Sequence, residues 1–120
     1  MLKKINSNIF LTRGDTARFD VSAYTKTRSV RVPYEFTSLD VVTMTVKETP
    51  ASALYLFQKT GYITTVEDTA VMRIDILPSD TSDLDLDTYY YDVQILIDGS
   101  IDDVHTIITG ELTLTYEVTY

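Results

Sequence analysis

A chain of 120 residues at 44% hydrophobic content, with four Gly and three Pro, reads as one folded domain spanning 1–120 and excludes disordered and low-complexity classes. The lack of Cys excludes disulfides and thiolate zinc sites, so packing must hold the fold and a reducing cytoplasm suits its assembly. A net charge of −8 excludes the dense basic stripe that phosphate neutralisation needs, so nucleic acid is not an expected partner.

Met1-Leu2-Lys3-Lys4 has the basic start of a signal peptide without the apolar run that must follow it, and no apolar stretch approaches the roughly 20 residues that span a bilayer. A soluble protein without a membrane partner is expected. The chain then alternates apolar and polar residues at the two-residue period of half-buried strands. A first strand is predicted over 5–11. Arg13-Gly14-Asp15 follows; it spells the integrin-recognition tripeptide, but Gly14 and Asp15 are turn residues between two strands. Phe19, Val21 and Ala23 form the inward row of the next strand. Val42, Met44 and Val46 form another, alternating with Thr43, Thr45 and Lys47, and its β-branched content fits a pleated surface.

Residues 53–59 are predicted as a strand, and Ala70, Met72, Ile74 and Ile76 as the inward row of the following one. Helical periodicity is nearly absent; the exception is Pro78-Ser79-Asp80-Thr81, where Pro at a first turn suits one short helical link. Tyr89, Tyr91, Val93, Ile95 and Ile97 make the longest inward row. It ends at Asp98-Gly99, a hairpin signal, with the return strand from Val104 onward. The final stretch is long for one strand, and Gly110 is the position where a bulge or bend would divide it or let it continue. About seven or eight strands, one short helical link and a closing hairpin together read as an all-β, immunoglobulin-like Greek-key β-sandwich.

Asp85-Leu86-Asp87-Thr88-Tyr89 sharpens this expectation. An Asp four residues before a Tyr whose hydroxyl bonds back to nearby backbone is the pattern of an immunoglobulin-type tyrosine corner, which nominates Asp85 and Tyr89. Tyr91 then stands where antibody domains place a cysteine. The alternative is three tyrosines in an ordinary strand.

Four stretches carry a family resemblance: Leu11-Thr12-Arg13-Gly14-Asp15-Thr16, Ile76-Leu77-Pro78-Ser79-Asp80-Thr81, Tyr89-Tyr90-Tyr91-Asp92-Val93-Gln94 and Ile107-Ile108-Thr109-Gly110-Glu111-Leu112-Thr113-Leu114. In this order, across nearly the whole chain, they resemble the N-terminal immunoglobulin-like domain of phage baseplate upper proteins. The resemblance implies a structural component of a phage or prophage virion, held in tail, baseplate or neck and assembled in the bacterial cytoplasm. The partners it implies are other phage structural proteins. In that family the domain commonly anchors a longer protein, whereas this sequence covers the domain alone, which leaves a free-standing adaptor open.

Candidate chemistry is sparse, and neither catalysis nor a cofactor is expected. His105, the single histidine, has no Ser, Cys or second His at a spacing that suggests a nucleophile or a metal pair. Asp83, Asp85 and Asp87 form a D-x-D-x-D run, but Thr88 replaces the Gly and Gln94 the Glu that an EF-hand loop requires. A looser calcium site with Asp80 or Asp92 is the alternative to exposed carboxylates around a turn. The four glycines are too scattered for a phosphate loop.

Nine Tyr exceed what a core of this size needs, and Tyr contributes large contact area at an interface. Tyr24, Tyr34, Tyr90, Tyr116 and Tyr120 are the candidate interface residues, with Tyr55 and Tyr62 also expected outside; β-propensity and partial burial are the plainer explanation. The β-prone run 112–120 would pair with another subunit if it formed a sheet edge. Residues 1–60 carry nine basic and five acidic residues and residues 61–120 one and thirteen, which permits complementary faces in a homo-oligomer. A carbohydrate-binding or adhesion module on the same kind of sandwich is the alternative function; the lack of Trp counts against it.

Overall fold

The computed structural model describes residues 2–116. Among them the strands are β1 Ile5–Asn6, β2 Ile9–Thr12, β3 Ala17–Val21, β4 Tyr24–Thr27, β5 Val30–Pro33, β6 Val41–Lys47, β7 Phe57–Thr60, β8 Tyr62–Val66, β9 Thr69–Ile76, β10 Thr88–Leu96 and β11 Val104–Thr115. One helical turn, α1 Pro78–Thr81, joins β9 to β10. The large sheet runs β1-β11-β10-β6-β7, with β2 also on β11; the small sheet runs β3-β9-β8; β4 and β5 form a separate hairpin. All pairings are antiparallel except those of β1 and β2, which lie parallel to β11. The chain moves from the small sheet (β3) to the large (β6, β7), back (β8, β9) and across α1 to the large again, which is the Greek-key sandwich.

The core lies between the two sheets, and the alternating rows supply it. Val42, Met44 and Val46 face Met72, Ile74 and Ile76, each at most 2% exposed, and Tyr89, Tyr91, Val93, Ile95, Ile107, Leu112 and Leu114 belong to the same cluster. Burying a side chain of this size contributes on the order of 1.5–3 kcal/mol. Gly61 is where the chain changes sheets: β7 ends and β8 begins on either side of it. Its N–H donates to Val42 O at 2.8 Å, and a Cβ there would already touch Val42 and Ile74.

The structure corrects the expected strand plan at four places. The predicted first strand is two short ones, broken at Ser7-Asn8, each paired with β11. Over 53–59 the strand begins at Phe57, and Leu54 is 83% exposed. The hairpins β4–β5 and β8–β9 were not predicted. In these hairpins β5 and β8 bury no row of side chains, so they lack apolar alternation. Their two-residue turns, Arg28-Ser29 and Glu67-Asp68, hold positive φ at both positions without the Asn-Gly or Asp-Gly that usually marks such a turn.

The fourth correction concerns β11, a single strand whose bulge lies at Ile107, between the pairs Val93–Ile108 and Gln94–Thr106. The extra residue resets the alternation, so Ile107 is buried and Ile108 still packs on the core. Gly110 has a different cause. A Cβ there would overlap the Ser7 carbonyl oxygen, which the β1–β2 break lays against β11. The Tyr91 hydroxyl donates to that same oxygen at 2.6 Å, so the residue standing where antibody domains carry a cysteine pins the N-terminal strands instead.

Candidate functional site

At the α1 end of the sandwich, side chains close the loops onto one another. The Tyr89 hydroxyl donates to the carbonyl oxygen of Asp85 at 2.8 Å, the geometry of a tyrosine corner, and burial together with the nearby Asp85 and Asp87 carboxylates pushes its pKa up. Thr81 is fully buried and its Oγ1 accepts the Gly14 N–H at 2.9 Å, while Arg13 Nη1 donates to Leu84 O at 3.1 Å. Arg13 and Gly14 are thereby built into the fold and do not project as an adhesion loop. Asp83, Asp85 and Asp87 are exposed, and among the described residues no cluster of three or more acidic or imidazole side chains is placed to hold a metal ion.

The opposite end is organised by Asp40, which sequence reasoning missed. Its carboxylate is 6% exposed and accepts three hydrogen bonds: the Tyr34 hydroxyl at 2.9 Å and Thr37 N–H at 3.0 Å on Oδ2, and Asp98 N–H at 2.9 Å on Oδ1. One buried acid thus ties the loop before β6 to the β10–β11 connection. The available signal was Asp three residues after Thr37, a turn pattern without any mark of a partner some sixty positions away.

That connection is longer than the Asp98-Gly99 signal suggested. Leu96 pairs Val104, a 3₁₀ turn covers Ile97–Gly99, and Ile97 N–H donates to Asp103 O at 3.0 Å. Outside this rigid framework lies apolar surface. Leu96 lies beside both Val41 and Val104 on the outer face of the large sheet, Leu39 is 65% and Ile101 81% exposed, and Val41 and Val104 are also exposed. His105 Nε2 sits 2.6 Å from Asp103 Oδ1 at the foot of the same connection.

The candidate tyrosines divide. Tyr34 is structural: its ring meets Phe36 edge-on at 5.2 Å, its hydroxyl is held by Asp40, and burial with that carboxylate pushes its pKa well above the ordinary value. Tyr24 is half-buried under the Arg31 guanidinium, 4.7 Å from the ring centre. Tyr116 is 79% exposed, Tyr55 and Tyr62 are exposed, and Tyr120 lies outside the described residues.

Tyr90 is half-buried on the outer face of the large sheet, in a recess of about 400 Å³ walled by Asn6 and Asn8 on one side and Pro50 on the other. Over Leu112–Thr115 β11 is no free edge, since β10 flanks it on one side and β2 on the other.

The charge asymmetry between sequence halves is partly folded away. Asp20 and Arg73 pair at 2.7 Å and Arg18 and Asp75 at 2.9 Å on the outer face of the small sheet, and the Arg73 hydrogen bond holds the Asp20 carboxyl below its usual range. Lys59 reaches Asp80 at 3.0 Å. No protein-family model and no curated protein sequence matches this chain.

Proposed function

We propose that this chain is a non-enzymatic structural module of a phage or prophage particle, docking by protein–protein contacts in tail, baseplate or neck. The observation that carries the docking is the apolar end of the large sheet: Leu39 and Ile101 stand in solvent on loops that Asp40 keeps rigid. Exposed apolar surface on a stiff support is the usual form of a protein contact. The particle context rests on the resemblance of the four stretches described above. Other particle proteins are the partners, with self-association as a further mode.

Mass spectrometry of particles purified from a producing culture tests the context, since a structural module is present there at fixed copy number. Its absence from washed particles sinks the reading. The docking surface is tested by Ile101→Asp, which leaves stability within about 0.5 kcal/mol because the side chain is already in water. The same change removes the chain from particles; normal incorporation would place the contact elsewhere.

A further inference from the structure

We propose that the recess around Tyr90 is a binding site for a neutral saccharide of one or two pyranose rings, stacked on the tyrosine ring. Two cross-strand rows build it. Lys47, Tyr90 and Glu111 lie side by side on β6, β10 and β11, and Thr45, Asp92 and Thr109 form the next row. An aromatic face is therefore flanked by an ammonium and a carboxylate, with a second carboxylate between two hydroxyls beneath it. At the wall, the Asn8 side-chain oxygen accepts the Glu111 N–H at 3.1 Å, which leaves the Asn8 NH₂ group as a donor.

A pyranose presents this pattern in reverse: a flat face of C–H groups for the ring and adjacent hydroxyls that each donate and accept. The recess volume of about 400 Å³ is at the small end of ligand sites, which limits the ligand to one or two rings. Asp92 decides against a dry protein contact. Its half-buried carboxylate has no hydrogen bond or ion pair among the described residues, and covering it with apolar surface would strand the charge, whereas sugar hydroxyls bring donors to it. Two carboxylates against one ammonium, on a chain of net charge −8, disfavour acidic sugars. The site shares no residue with the apolar end, so its failure leaves the docking reading standing.

Amide NMR titration of the labelled chain with glucose, galactose, N-acetylglucosamine and their disaccharides, with glucuronate as the charged control, tests it. Saturable shifts confined to Thr45, Lys47, Tyr90, Asp92, Thr109 and Glu111 with at least one neutral sugar are expected. Tyr90→Ala should weaken that binding about tenfold, while Tyr90→Phe keeps the ring and most of the affinity. Tyr62→Ala, on the other sheet, should change nothing, and the three spectra show whether each variant is folded. Absence of shifts with every neutral sugar, equal shifts with glucuronate, or undiminished binding by folded Tyr90→Ala would overturn the proposal.

Discussion

The two ends of the sandwich are each closed by one buried polar side chain, yet they are braced to different degrees. At the α1 end, Thr81 accepts a single backbone donor, Tyr89 and Arg13 supply neighbouring bonds, and Asp83, Asp85, Asp87 and Leu77 are exposed. At the other end Asp40 gathers three donors from two chain segments, and Leu39 and Ile101 stand in solvent beside the exposed Asp98, Asp102 and Asp103. Loops need the first arrangement to close. They do not need Leu39 and Ile101 in solvent, so the second end carries surface beyond the requirements of folding, and its stronger internal bracing keeps that surface in one shape.

The largest test of this contrast is Asp40→Ala. It strands the Thr37 and Asp98 N–H groups and the Tyr34 hydroxyl together, and should cost about 3 kcal/mol in urea unfolding. Hydrogen exchange should quicken around Thr37 and Asp98 and stay unchanged around Gly14. Equal loosening of both ends would mean they are not independently braced.

Tyr89→Phe is the counterpart at the α1 end. Losing the hydroxyl leaves the partly solvated Asp85 carbonyl to find water, so a cost of about 1 kcal/mol is expected by the same measurement. A loss as large as that of Asp40→Ala would show that the corner bears as much of the fold as the buried acid does.

The smallest effect separates a partnered acid from an unpartnered one. Burial raises the Asp92 pKa, opposed by Lys47, so its ionised form is disfavoured in the folded state. A carboxyl with a raised folded pKa contributes stability below its unfolded pKa and loses it as pH rises through the folded value. Asp92→Asn should therefore raise the thermal midpoint at pH 7 relative to the parent chain, with the gap closing as pH falls below the ordinary carboxylate range. A gap independent of pH would assign the gain to something other than the charge.

Legibility followed burial. β6, β9 and β10 were readable nearly to their ends because each buries one side, which imposes the alternation visible in Val42-Met44-Val46 and Tyr89-Tyr91-Val93-Ile95. The pairing of Asp85 with Tyr89 was readable too, because both partners lie within one local segment. β5 and β8 were opaque, since strands exposed on both faces are under no such constraint. Gly110 drew attention as a glycine, but its cause, the Ser7 carbonyl, lies 103 positions away in sequence.

The candidate sites divide in the same way. Composition marked the tyrosines as a group, and no sequence pattern separates Tyr34, consumed by Asp40 and Phe36, from Tyr90, which floors a recess. The sequence by itself determined an all-β fold, its inward rows and its helical link, because these follow from local periodicity and backbone preference. Tertiary structure alone decided the Asp40 junction, the apolar end and the recess around Tyr90, because each is made where segments distant along the chain meet, and that meeting depends on how the sheets pair and pack.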